Sequence, residues 1–311
     1  LIDPARRVSR GRALARGAIL PQGVISLPPV ADLDALPFPK WDLFPISEYS
    51  YLPALRQKPF LPILSSRGCP YGCNYCPYHV IYKYRVRSPE NVLAELEHLS
   101  SKFGVRAVLF RDPIFSANRG RTLEIARGII QRKLNLRWAC ETRLDHLDAE
   151  ILEEMYRAGC RVINVGIESS DDNILKKATR KPVAVEHQER IIKKCDELGI
   201  RVTAFYILGL PDDTKESISR TIEYAKKLNT HVAQFFINTP FPGTEFYEQV
   251  KDKIIVNDWQ AFDCYTPVIA QPSLSADELS GLKEKAFVGY YFRWRYIFKF
   301  ILRAIRDLLD K

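Results

Sequence analysis

Met155 is the only methionine in a chain of 311 residues that holds five histidines and opens on leucine. The missing initiator leads us to expect a processed or truncated piece of something longer. No apolar run approaches the roughly 20 residues that cross a bilayer, so a hydrophobic spanning helix is excluded from the reading. The first residues, Leu-Ile-Asp-Pro, run into arginines rather than an apolar h-region, so no secretory signal is expected in these residues. Arg6, Arg7, Arg10, Arg12 and Arg16 are what a transit peptide would share, but the expectation is the surface of a severed upstream element. Common zinc spacings are absent, because there is neither a second C-x2-C knuckle nor a distant histidine pair. The net charge of +9 gathers its excess at the two ends. No nucleic-acid motif accompanies it, so a solvated basic surface is expected and nucleic acid is not an expected partner.

Seven cysteines are present. Three cluster, which points to a reducing compartment and a cytoplasmic location rather than a disulfide scaffold. Cys140, Cys160, Cys195 and Cys264 are scattered, and core packing is their default role. Cys69, Cys73 and Cys76 form a C-x3-C-x2-C run inside Arg67-Gly68-Cys69-Pro70-Tyr71-Gly72-Cys73-Asn74-Tyr75-Cys76-Pro77. Three thiolates on one loop can hold three irons of a 4Fe–4S cubane and leave the fourth open to a substrate or cofactor. Glycine and proline let backbone wrap close to a bulky inorganic core. The rival is zinc, with His79 as a fourth ligand just beyond Cys76.

Residues 1–58 read as a linker or the remnant of an upstream domain. The stretch 28–42 carries too many prolines for a helix or central strand. From there short apolar segments alternate with helical patterns. The expected strands are Phe60–Ser65, Ala107–Arg111, Arg137–Cys140, Val162–Ile167, Val202–Leu208 and Val232–Asn238. Ser88 with Pro89, and Asp148 with a stop at Gly159, bracket two helices. Asp213 and Glu216 fit a capping box, and 183–198 reads as a helix ending at Gly199. Serial βα units imply right-handed crossovers and a parallel sheet. The expected fold is α/β: a partial (β/α)6 TIM-like barrel over 59–245, with a C-terminal helical extension over 246–311. The cysteine loop follows the first strand, at the C-terminal rim where barrel active sites lie.

Other chemistry falls at the same rim. Asp112 ends the second strand, Glu141 and Arg143 follow the third, Glu168 ends the fourth, and Leu208-Gly209-Leu210-Pro211 ends the fifth. Alone, such a carboxylate is a helix cap or a surface residue, and Arg143 could pair structurally with Asp145 or Glu141.

The cysteine spacing, with Tyr75 before the third cysteine, resembles the radical S-adenosylmethionine (SAM) enzymes. Gly166-Ile167-Glu168-Ser169, the Tyr206-Ile207-Leu208-Gly209-Leu210-Pro211 turn, Thr239-Pro240-Phe241-Pro242-Gly243-Thr244 and the linker Asp32–Pro39 resemble the cobalamin-dependent group among them. The resemblance runs from about residue 30 to the C-terminus. It implies a 4Fe–4S cluster on Cys69, Cys73 and Cys76, and SAM cleaved reductively to a 5′-deoxyadenosyl radical. SAM contacts are implied for Tyr75, Asp112, Glu141, Arg143, Glu168, Leu208 and Gly209. Tyr75 and the Leu208–Leu210 turn would flank the adenine, and Glu168 would meet the ribose or methionine portion. Asp112 would occupy the place of the methionine-amine motif, whose Gly-Gly-Glu form is absent. The cobalamin signature Asp-x-His-x-x-Gly is also absent from these residues, so cobalamin would come through a domain outside them. The implied reaction is cobalamin-dependent methylation of an unactivated carbon, or a related C–C bond formation or ring rearrangement. The implied partners are a small-molecule substrate, with a lipid or isoprenoid as one candidate, and a one-electron donor such as flavodoxin or ferredoxin. The rival functions are a radical enzyme modifying RNA and a non-catalytic iron–sulfur or zinc protein.

Near the C-terminus, Trp294, Ile297, Phe298, Ile301, Ile305 and Leu308 form one helical stripe. Arg295, Lys299, Arg303 and Arg306 lie roughly opposite. The stripe is expected to pack over the barrel or against the upstream domain. The alternative is an interfacial helix making peripheral contact with an anionic membrane.

Overall fold

The computed structural model describes residues 29–49, 55 and 57–309, together with a minimal antiparallel pairing of 18–19 with 25–26. The arginine-rich run at 6–16 and the side chains of Arg306 and Leu308 lie outside the described residues. Six strands carry the fold: β1 (Phe60–Ile63), β2 (Ala107–Phe110), β3 (Arg137–Thr142), β4 (Cys160–Glu168), β5 (Arg201–Leu208) and β6 (Val232–Ile237). They pair in parallel in chain order, β1 at one edge and β6 at the other. This is the partial (β/α)6 barrel expected, with strand bounds within two residues of those read from apolar runs.

Side chains alternate between two faces, as the period of a strand demands. The helix-covered face buries Val108, Phe110, Trp138, Ile163, Val165 and Tyr206. Each fully buried side chain of this size contributes about 1.5–3 kcal/mol of hydrophobic stabilisation. The inner face carries a smaller cluster of Leu55, Phe60, Ala107, Leu109, Ala139 and Val162. Trp138 satisfies its indole N–H by donating to the Ala158 carbonyl at 2.8 Å. Cys140, Cys160 and Cys195 are buried and free, as core packing requires.

The covering helices are α1 (Pro89–Phe103), α2 (Arg119–Gln131), α3 (Ala149–Arg157), α4 (Val185–Leu198) and α5 (Lys215–Leu228). Ser88 and Asp148 cap α1 and α3 as expected, accepting from Asn91 N–H and Ile151 N–H. Gly104 and Gly199 end α1 and α4 in the left-handed region. The expected capping box at Asp213 and Glu216 is corrected by one residue. Thr214 caps α5, and its reciprocal partner is Ser217. Asp213 has a different task, described below. The linker is no free tether where it is described: Leu33 is buried, and Asp34 accepts from Ser88 N–H at 3.0 Å, at the positive end of α1.

Two helices close the chain, α6 (Ala276–Tyr291) and α7 (Trp294–Leu309). Here the apolar stripe does not pack over the barrel. α7 attaches through its polar side: Tyr296 Oη donates to the His231 carbonyl at 2.9 Å, and Lys299 and Arg303 pair with Asp196. Trp294, Phe298, Ile301 and Ile305 face solvent instead. The cations win the contact because Asp196 is there to receive them. No helix among the described residues is long and apolar enough to cross a membrane.

Candidate active site

The cysteine loop leaves β1 through Ser65 and Ser66 and is held at its neck by a two-stranded ribbon, Ser66–Arg67 against Arg85–Val86. Gly68 sits at φ +78, and a Cβ there would collide with the Tyr82 carbonyl oxygen. Only glycine lets the two sides of the neck approach so closely. The loop is anchored further by Asn74. Its N–H donates to the Ala178 carbonyl at 3.2 Å, its Nδ2 to the Lys177 carbonyl at 3.1 Å, and its carbonyl accepts from Phe246 N–H at 3.0 Å.

Cys69, Cys73 and Cys76 are all free thiols on this loop, Cys73 buried and the others half-buried. Burial pushes Cys76 up to about 11 and Cys69 in the same direction. Buried thiols become thiolates at neutral pH only beside compensating positive charge, which bound iron supplies. Three soft donors on one loop fit a cluster of that kind. Among the described residues no three of His, Cys, Asp or Glu, the three cysteines included, converge on a single ion.

Glu168 ends β4 with φ +67, at a register shift between β4 and β5. Its carboxylate folds back over Gly166, where a Cβ would overlap Oε1. Thus the Gly-Ile-Glu order has a steric cause. Burial raises the Glu168 pKa, opposed by Arg180, whose Nη2 lies 3.4 Å from Oε1. Arg180 also donates to the Gly166 carbonyl and neighbours Cys73 and Tyr75. Burial alone would lower its pKa, but Tyr75, Glu168 and Cys73 outweigh that and raise it. The sequence reading missed Arg180. Its only signal is a basic residue in a proline-containing loop, which is common on surfaces.

The remaining expected residues fall into separate settings. Arg143 holds Asp145 by two bonds of 2.9 and 3.0 Å, stacks 4.5 Å from the Tyr71 ring centroid, and leaves a buried Nη1 without a partner. Glu141 pairs with Arg111, and burial raises its pKa against that pairing. Asp112 is fully buried and receives Ser65 N–H at 2.8 Å, Ser65 Oγ at 2.5 Å and Ser66 Oγ at 2.6 Å. Arg121, also unforeseen, donates to the Ser65 carbonyl at 2.7 Å. Asp112 and Arg121 together fix the turn that launches the cysteine loop. Tyr75 packs with Ile207 against Leu210, Ile174 and Ala178. Leu208 is buried and Gly209 has φ +81. The Gly209 N–H is taken by Asp213 and its carbonyl by Gln271, so the polar backbone groups of this buried turn are already satisfied. Asn238, just after β6, has a buried Nδ2 without a partner.

Comparison with known proteins gives a consistent result. Residues 63–254 match the family described as the Radical SAM superfamily. An uncharacterised methyltransferase of Pyrococcus horikoshii is 30% identical over 294 residues, covering 91% of this chain and 63% of that protein. An anaerobic magnesium-protoporphyrin IX monomethyl ester cyclase of Rubrivivax gelatinosus is 27% identical over 255 residues, covering 81% of this chain and 45% of that protein. The chain therefore spans less than two thirds of these relatives. Among solved structures, the methyltransferase TsrM of Kitasatospora setae, with cobalamin and a [4Fe–4S] cluster bound, superposes with a TM-score of 0.58 at 23% identity. The overlap covers 62% of this chain and 37% of that one, and it concerns the fold.

Proposed function

The chain belongs to the radical SAM superfamily, and from that premise we propose that it cleaves SAM to attack an unactivated carbon of a small molecule. The superfamily's cofactors are a 4Fe–4S cluster and SAM. Together they supply one-electron cleavage of a sulfonium–carbon bond, a reaction beyond any side chain. Cys69, Cys73 and Cys76 would hold the cluster and leave one iron for SAM. The buried, unpartnered Nη1 of Arg143 is a donor suited to a carboxylate, and Tyr75 with Leu210 is an apolar wall suited to adenine. Glu168, locked by Arg180, would meet the ribose or methionine portion. Asp112 acts through the Ser65–Ser66 turn, positioning the loop rather than touching SAM. Glu141, paired with Arg111, would face the same rim.

At finer grain, the reaction is methyl transfer to carbon using cobalamin from a domain outside these residues. Ring closure is the second reading. Relatives named as a methyltransferase and as a cyclase support the two. A flavodoxin or ferredoxin would deliver the electron in a reducing, cytoplasmic compartment.

One observation carries this reading: three free thiols on a single anchored loop at the C-terminal rim of a parallel barrel. The test is anaerobic reconstitution with iron and sulfide, reduction, addition of SAM, and assay of 5′-deoxyadenosine. Product is expected from the native chain and none from Cys73→Ala. Undiminished product from that variant would defeat the cluster assignment.

A further inference from the structure

α7 turns its apolar side to solvent. Phe292 and Trp294 are 75% and 79% exposed, and Phe298, Leu302 and Ile305 are about half exposed. A contiguous face of this kind exceeds the scattered apolar residues of an ordinary surface. From Phe292 to Ile305 the chain holds four cations and no acid. Lys299 and Arg303 share one carboxylate, Asp196. Among the described residues Arg293 donates to neutral acceptors, the Tyr290 and Lys226 carbonyls and Asn229 Oδ1, and lies over the Tyr290 ring. A groove of about 630 Å³ runs along the helix, where Phe298 and Leu302 meet Lys193, Lys227, Arg295 and Lys299. Of the acids lining it, Glu189 is held by Lys227 and Asp196 by the two α7 cations.

We propose that this face docks the protein on an anionic membrane, with lipid phosphates at Arg295 and the apolar side chains in the headgroup–acyl boundary. A helix with aromatic and branched residues on one side and cations beside them is built for that interface. Other occupants fit worse. Asp196 closes α4 just before β5, and Asn229 and His231 lie just before β6, so α7 sits at the N-terminal end of the strands. The cysteine loop is at the other end, so a domain delivering a reactant has no reason to cover this face. A second copy would set like charges against each other across a two-fold axis. The surface stands independently of the reaction proposed above.

The test is co-sedimentation of the full chain with phosphatidylcholine vesicles, with and without phosphatidylglycerol. Binding is expected only to the anionic vesicles and is weakened by salt. Arg295→Ala should lower the partition about fivefold, the equivalent of roughly 1 kcal/mol per basic residue at an anionic surface. Phe298→Asp with Ile305→Asp should abolish binding while leaving Tm unchanged, because both side chains are half exposed. Failure to bind either vesicle, or equal binding to both, overturns the proposal. So does a native dimer in sedimentation equilibrium that the double variant dissolves, with no vesicle binding.

Discussion

Glu168 holds a backbone conformation that residues with a Cβ rarely adopt, at a cost of order 1–3 kcal/mol. The structure keeps it there because Gly166 leaves room for the carboxylate and Arg180 fixes it. Such a buried ion pair adds little net stability but fixes its members firmly, since breaking it strands a charge. Gly68 makes the matching argument at the neck of the cysteine loop. Gly68→Ala meets both a left-handed φ and a backbone collision, so it should cost about 1–3 kcal/mol and lower the iron bound per chain. Gly281→Ala is the control: it lies within α6, away from the cysteine loop, and a Cβ there meets nothing within 4 Å, so iron content should hold and stability should not fall. Thermal melts and iron analysis of the two variants check this, and equal behaviour would refute the steric account.

The turn between β5 and α5 shows what an element boundary can hide. Asp213 resembles a helix cap in sequence, yet its Oδ2 receives Gly209 and Leu210 N–H while its Oδ1 receives Ser217 Oγ. Burial pushes its pKa up to about 6, against those hydrogen bonds. A carboxyl whose folded pKa exceeds its unfolded value near 4 stabilises when protonated. That stability is present below about pH 4 and fades as pH rises through about 6. Replacement by Asn removes the titration. The stability gap between native and Asp213→Asn should therefore be about 2 kcal/mol larger at pH 4.5 than at pH 7, by linkage. Urea unfolding at the two pH values measures it, and a gap independent of pH would sink the argument.

Over the whole molecule, the two ends of the barrel have different business. The C-terminal rim gathers the cysteine loop, Glu168, Arg180 and Arg143, while the N-terminal end carries α7, whose two paired cations share one carboxylate. Asp196→Asn leaves Lys299 and Arg303 without a counter-charge. Because the pairs are partly solvated, the loss is only about 1 kcal/mol. Hydrogen exchange should quicken through α7 while the six strands keep their protection, since the core does not depend on that contact. Uniform loss of protection would instead make α7 part of the cooperative core.

By itself the sequence determined the strands, most helix ends and the cysteine motif. Each is written in neighbouring residues: an apolar run, a cap, a fixed spacing of thiols. Tertiary structure alone decided what lies far apart in the chain but together in space. Arg180 reaches Glu168 and Cys73 through a loop with no periodic signal, and Asp112 meets Ser65 and Ser66 from the adjoining strand. The stripe on α7 was legible as amphipathic, but periodicity cannot say which side turns inward. Asp196, about a hundred residues earlier, settles that by electrostatic attraction.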